Sequence, residues 1–513
     1  MKSYPIAVLL ILMLFFSVQA VFAGTTGKLM GTVKDASTGD PLIGANVVLE
    51  GTGMGASTDV DGYFVIINVP PGAYDMSVHY IGYASTTIEN VKVSVDRTTT
   101  RDVKLSPQVL EGETVVVQAE RPPIEMDRTH SSSVVSSETV ESMPVTELEE
   151  VIELQAGVVS SNGELHFRGG RAREISYVVD GVPVTNSFSQ SGGSLVEVDN
   201  NMIAELEVIS GTFNAEYGQA QSGVVNIVTK RPASKFRTNI NAYTGDWWST
   251  KDDIYLGVQN YNPVADANVE VGVTGPIIPN KLGFVVNARV HHFESLNWYQ
   301  RRFNSTDGWK IAAYREWAQW QDLTTGTVIP IPDSLATGDG EEGPLNTSNY
   351  GSFQAKLVYS FSPQVSLTYT AFGAYQKTEG PYDPNSTGGE LYYQFAPDNF
   401  RTSKNWSYSQ FLRFQHSPSD NFFYNIALSY QREDSDYYFR KDNKIARYPG
   451  DSGIQLFTAA STGVDFGSSY SLGTTGGFYS SAPGRGYNDQ YMIQGDFNWQ
   501  MDRYNFIKTG FSV

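Results

Sequence analysis

No cysteine occurs in the 513 residues, which excludes disulfides, thiolate metal sites, a cysteine nucleophile and a lipid-modified cysteine behind an export signal. Positive charge is also scarce: 36 Lys and Arg stand against 55 Asp and Glu, for a formal net charge of −19. An acidic surface repels phosphate backbones, so nucleic acid is not an expected partner. Long apolar runs are missing beyond the N-terminus, and no later stretch spans a membrane as a helix. Phosphate loops, Gly-x-Ser-x-Gly elbows and framed acid pairs are absent too, so neither a catalytic centre nor a cofactor is expected.

What the chain has is material for strands and turns: 13% aromatic residues, 40% apolar residues and 48 glycines. These favour a mostly β protein of several domains. Residues 1–23 carry Lys2, an apolar core over 6–16 and then Val21-Phe22-Ala23. This is the pattern of a signal peptide cut after Ala23, because Ser17 and Gln19 keep the run below the ~18 residues that span a bilayer. Loss of Lys2 takes the charge from −19 to −20.

Residues 27–105 alternate short β-rich runs with Ser-Thr-Gly-Asp-Pro, Asp-Val-Asp-Gly and Pro-Pro-Gly turns, which predicts a small β-sandwich. Asp59-Val60-Asp61-Gly62 could open a calcium loop, but no later ligands follow at that loop's spacing, and an Asp-Gly turn is the expected reading. The runs at Gly31, Thr38 to Leu42, Gly44 to Val47, Thr58 to Phe64, Pro71 to Tyr74 and Ile81 to Tyr83 resemble the carboxypeptidase regulatory-like domain.

A linker over 106–121 contains Thr114, Val115, Val116, Val117, Gln118 and Ala119. Three valines favour an extended backbone that can add as a strand to a partner's sheet, although such a run also reads as the last strand of the preceding sandwich. By position it looks like a TonB box. Over 122–230 a helical spacing runs from Glu147 and stops at Gly157. After it come Phe167-Arg168-Gly169, a strand into the Asp180-Gly181 turn, then Gly211, Glu216-Tyr217-Gly218 and Gly223. This order resembles the plug domain of TonB-dependent outer-membrane receptors. The glycines are expected to serve turns and close packing, and Arg168 and Glu216 to find salt-bridge partners on the barrel wall.

From 235 to 513 apolar and polar residues alternate along nine candidate strands, near 236–246, 265–275, 281–293, 349–361, 364–376, 403–416, 421–432, 489–500 and 505–513. Long and short connections alternate between them, as in an outer-membrane barrel with long external loops and short periplasmic turns. Receptors of this kind close with about 22 strands, so the expectation is the first part of a barrel, truncated at the C-terminus. His291-x-x-Glu294 with His416 could suggest zinc, but residues three apart on a strand point to opposite faces. Trp309, Tyr314, Trp317 and Trp320 lie in a long loop with a helical pattern; they read either as packing against the barrel rim or as candidate substrate contacts.

The resemblance implies a TonB-dependent transporter in the outer membrane, with the N-terminal domains in the periplasm or barrel lumen. Its partners would be a TonB-type energy-coupling protein, membrane lipid, an extracellular iron chelate, glycan or peptide, and a surface lipoprotein where one exists. The alternative is an outer-membrane barrel that is structural, adhesive or signal-transducing and does not transport.

Overall fold

A computed structural model describes residues 24–107, 115–118, 132–145, 147–161, 163–186, 192–211, 217–218, 220–251, 257–301, 334, 337–380, 401–441, 444–445 and 484–513. The expected signal peptide, residues 1–23, therefore lies outside the described residues.

The first unit is the expected sandwich. In one sheet Gly27–Asp35 lies between Tyr63–Val69 and Thr98–Thr100 and also pairs with Val103–Leu105. The other runs in the order Met54–Ser57, Asn46–Leu49, Gly72–His79, Thr86–Val93, Val115–Gln118. Buried and less buried residues alternate along Gly27–Asp35, as the period of a half-buried strand demands. Leu29, Val33, Val47, Phe64 and Met76 fill the space between the sheets. The Asp59 turn is the expected Asp-Gly turn: Asp59 Oδ1 accepts from the backbone of Asp61 and Tyr63, both at 2.9 Å, and Gly62 has φ +71°. The valine run belongs to this unit, because Val115–Gln118 pairs in parallel with Thr86–Glu89 at the sheet edge.

The plug is a five-stranded sheet in the order Ser132–Ser136, Ile203–Ser210, Gly223–Thr229, Ile175–Val179, Val182–Pro183. Two short helices, Ser137–Ser142 and Leu148–Glu153, cover it. The second helix is shorter than the spacing suggested. A capping box between Glu147 and Glu150 starts it, and the chain turns away through Gly157 at φ +86°.

All nine expected wall strands form, in one antiparallel meander: Arg237–Gly245, Asp266–Ile278, Leu282–Glu294, Thr347–Ser362, Val365–Gly380, Arg401–Ser419, Phe422–Lys441, Gly484–Gln500 and Phe506–Ser512. The two faces are inverted relative to a water-soluble sheet. Gln354 and Lys356 are 0% and 5% exposed, whereas Phe353 and Leu357 beside them are 52% and 38% exposed. Val269, Val290, Leu412, Ile426, Leu428 and Ile493 also point outward, and Asn268, Asn287, Gln431, Gln494 and Asn498 are buried. Apolar side chains in contact with lipid and polar ones turned inward meet the requirement for strands in a bilayer.

The sandwich meets the plug at the turn from Val95 to Arg97. Val95 N donates to Glu205 Oε1 at 2.7 Å, and Arg97 reaches Ser132 Oγ at 2.9 Å and Glu207 at 3.7 Å. Burial pushes the Glu205 carboxyl up to about 7, despite the opposing hydrogen bonds from Val95 and Ser94.

Two outcomes are expected. Phe353→Arg, which sets a cation at mid-strand on the lipid face, should cost about 2–4 kcal/mol in urea unfolding from lipid vesicles; wild-type stability would refute the lipid-facing assignment. The docked state holds the Glu205 proton more tightly than a free carboxyl with its ordinary value of 4.5. The contribution of Glu205 to docking is therefore fully present at and below 4.5 and is lost as pH rises through about 7. Hydrogen exchange at Val95 should follow that curve, and Glu205→Gln should flatten it; an unchanged slope in the variant would assign the dependence elsewhere.

Candidate functional site: the plug seated on the wall

The centre of the seam is a turn. Asp180 and Gly181 have φ +49° and +75°, two successive left-handed residues that match a tight hairpin joining Val179 to Val182. The Asp180 side chain accepts from Thr229 N at 2.9 Å and Thr229 Oγ1 at 2.7 Å, at the last residue of the plug sheet. From the wall, Lys356 Nζ approaches Asp180 Oδ2 at 2.8 Å and donates to Thr229 O at 3.2 Å. Burial alone would raise the Asp180 carboxyl. The charges of Lys356 and Arg413 and the bonds from Lys356 and Thr229 outweigh it and hold the group below its ordinary value. Such a pair adds little net stability, but removing one partner strands a charge at a cost of about 3–5 kcal/mol.

The rest of the seam is of the same kind. Gln494 Nε2 donates to Gly181 O at 2.7 Å and Gln431 Nε2 to Pro183 O at 3.0 Å, so wall side chains grip the turn on either side of its tip. Asp199 accepts from Asn287 at 2.9 Å and Ser352 at 2.6 Å, and Gln354 reaches Glu197 O at 3.1 Å. Arg289 meets both oxygens of Glu147, at 2.6 and 3.1 Å, and thereby holds the capping residue of the second helix. Burial first, then the charges of Glu149, Glu147 and Asp199, push Glu197 up to about 8, with Arg289 opposing. Among the described residues the buried apolar contact comes from the wall residues Val285, Phe372, Phe411 and Ala427, which pack into the plug core. Each neutral hydrogen bond contributes only about 0.5–1.5 kcal/mol, since water can replace it. A seam built this way can be opened and remade, unlike an apolar core.

The residues named from the sequence fall into three groups. Asp180, Gly181 and Tyr217 lie at contacts between units, Tyr217 donating to Asp96 Oδ2 of the sandwich at 3.1 Å. Arg168, Gly169, Gly211 and Gly223 serve the plug itself. Among the described residues Arg168 has no partner on the wall: it is exposed, has φ +48°, and lies over Gly211, where an added Cβ would stand 2.7 Å from its Nη1. Its short local turn through Gly169, φ +80°, directs the side chain back across the plug. At Gly223 a Cβ would stand 2.0 Å from the Phe167 ring, so this glycine allows close packing. Gly218 is half-buried. Thr114, Ala119, Glu216, Trp309, Tyr314, Trp317 and Trp320 lie outside the described residues. Val115, Val116, Val117 and Gln118 form an edge strand of the sandwich and not a free extended segment, because the Thr86–Glu89 backbone offers them a ladder. His291 meets Asp266 at 2.9 Å, His292 meets Glu294 at 3.3 Å and His416 meets Tyr424 at 3.1 Å, three separate pairs.

Sequence reasoning missed Asp199 and Glu147 as seam residues. Strand alternation puts Lys356, Gln354, Asn287 and Arg289 on the polar face; it carries no information on which plug residue each meets.

The family model of the CarboxypepD_reg-like domain matches residues 29–117, and that of the TonB-dependent Receptor Plug Domain matches residues 125–225. The chain is 25% identical over 308 residues to the TonB-dependent transporter Oar of Myxococcus xanthus, covering 54% of this chain and 28% of that protein. It is 31% identical over 236 residues to the TonB-dependent receptor P26 of Formosa agariphila, covering 42% of this chain and 22% of that protein. The alignments thus span less than a third of either relative. The outer membrane transporter YddB from Escherichia coli matches over 74% of this chain and 47% of its own, with a TM-score of 0.46 and 10% identity. The chain therefore carries a regulatory-like sandwich and the plug domain of TonB-dependent receptors, followed by a wall that is apolar outside and polar within, and it is similar to the outer-membrane proteins of that kind.

Proposed function

We propose that the protein imports an extracellular substrate across the outer membrane, with the plug as the moving part and no enzymatic step. The observation that carries this reading is the seam. Ion pairs and side-chain to backbone hydrogen bonds hold the plug to the wall, so displacement exchanges them for bonds to water instead of exposing a large apolar core. A substrate bound outside favours displacement only if it binds the two plug positions with different affinity. The remaining work comes from a periplasmic energy-coupling protein of the TonB type.

The valine run is where that protein would attach. Val115–Gln118 is the last strand of its sheet, paired on one side to Thr86–Glu89, and among the described residues no strand covers its outer edge. Strand addition there uses backbone hydrogen bonds for affinity. It also places the pull just ahead of the plug's first strand, Ser132–Ser136.

Val116→Pro removes a backbone N–H from that strand. Energy-dependent uptake by cells carrying the full-length variant should fall to background while substrate binding at the surface persists. Uptake at the wild-type rate would remove the run from the coupling step.

A further inference from the structure

Gly24 follows directly on Val21-Phe22-Ala23 and sits where sandwich, plug and wall meet. Its nitrogen donates to Asp96 Oδ2 at 3.0 Å, and its carbonyl accepts from Asn226 Nδ2 of the plug at 3.3 Å. Asp96 lies in a left-handed conformation, φ +51°, at the tip of the docking turn. The same carboxylate accepts from Tyr217 OH of the plug at 3.1 Å and from Lys508 Nζ of the wall at 3.0 Å. A Cβ at position 24 would stand 1.6 Å from Asp96 Oδ1, so a larger residue there would push the carboxylate away from its other partners. Asn226 is 0% exposed, and its Oδ1 has no hydrogen-bond donor among the described residues.

We propose that Asp96 captures the new N-terminus created by cleavage after Ala23, so that export processing itself locks the sandwich onto the plug. This rests on the cleavage position read from the sequence and not on the transport reading. Signal peptidase hydrolyses the Ala23–Gly24 bond: water supplies the oxygen of the Ala23 carboxylate, and the Gly24 nitrogen departs as an amine. A terminal amine titrates near ~7.7–8.0, and a carboxylate beside it favours the protonated form. One amide N–H therefore becomes an ammonium with three donors, and a neutral donor becomes a charged one, roughly twice as strong. Asp96 then bridges two cations, the Gly24 ammonium and Lys508, and one carboxylate joins all three units. Before cleavage the Gly24 nitrogen can supply only the weaker amide bond.

The test is acylation of the α-amine in full-length protein exported by cells, using acetyl N-hydroxysuccinimide at about pH 7, where lysines are protected by protonation, read by mass spectrometry of the N-terminal peptide. The mature chain should begin at Gly24 and acylate roughly tenfold more slowly than in Asp96→Asn, the factor expected from one lost charge-assisted bond. A second variant, with Gly-Ser inserted ahead of Gly24, keeps Asp96 but moves the amine away, and it should acylate at the fast rate. That variant decides the matter if Asp96→Asn does not fold. A mature chain beginning elsewhere, or a wild-type rate equal to that of the insertion variant, overturns the proposal.

Discussion

A lysine on the inner face of a lipid-bounded wall must meet an anion, and Lys356 meets Asp180. The tight left-handed turn at Asp180 and Gly181, the end of the plug sheet at Thr229 and the position of the plug along the wall are all tied to that contact. Because strands alternate faces, the polar set that includes Gln354 and Lys356 is committed to the interior once Phe353 and Leu357 face lipid. Buried polar groups need partners, and the plug supplies them through its carbonyls at Gly181, Pro183, Glu197 and Thr229. The lipid outside thus dictates, through the strand period, how the plug is held inside.

The sandwich is joined by the same means. Its Val95 to Arg97 turn presents a backbone N–H, a carboxylate and a guanidinium to Glu205, Tyr217, Lys508 and Glu207. Polar docking leaves the sandwich with its own apolar core around Phe64, while the plug core around Phe167 and Leu206 takes in a few wall residues, Val285, Phe372, Phe411 and Ala427. Units built in this way can move relative to one another without either unfolding, which is what displacement of a plug requires.

The wall was the most legible part of the sequence, since strand alternation and the rhythm of short turns are local signals. The Asp-Gly turns at Asp61-Gly62 and Asp180-Gly181 were legible for the same reason: few residues tolerate a positive φ. Partners were not legible. Arg168 was expected at the wall; among the described residues it lies over Gly211, and the sequence does not reveal which way a side chain leaves a left-handed residue. Val115 to Gln118 reads equally well as a free segment or a last strand, and only the open ladder along Thr86–Glu89 decides between them.

The central claim is that Lys356 and Asp180 act as one lock between plug and wall. A double-mutant cycle with Lys356→Met, Asp180→Asn and the pair tests it directly, with plug release read as conductance of the full-length protein in planar bilayers under rising urea. Each single variant should release the plug earlier, and the pair should release it no earlier than the weaker single variant, with an interaction energy of about 0.5–3 kcal/mol. Strictly additive effects would show that the two side chains act independently and would contradict the account.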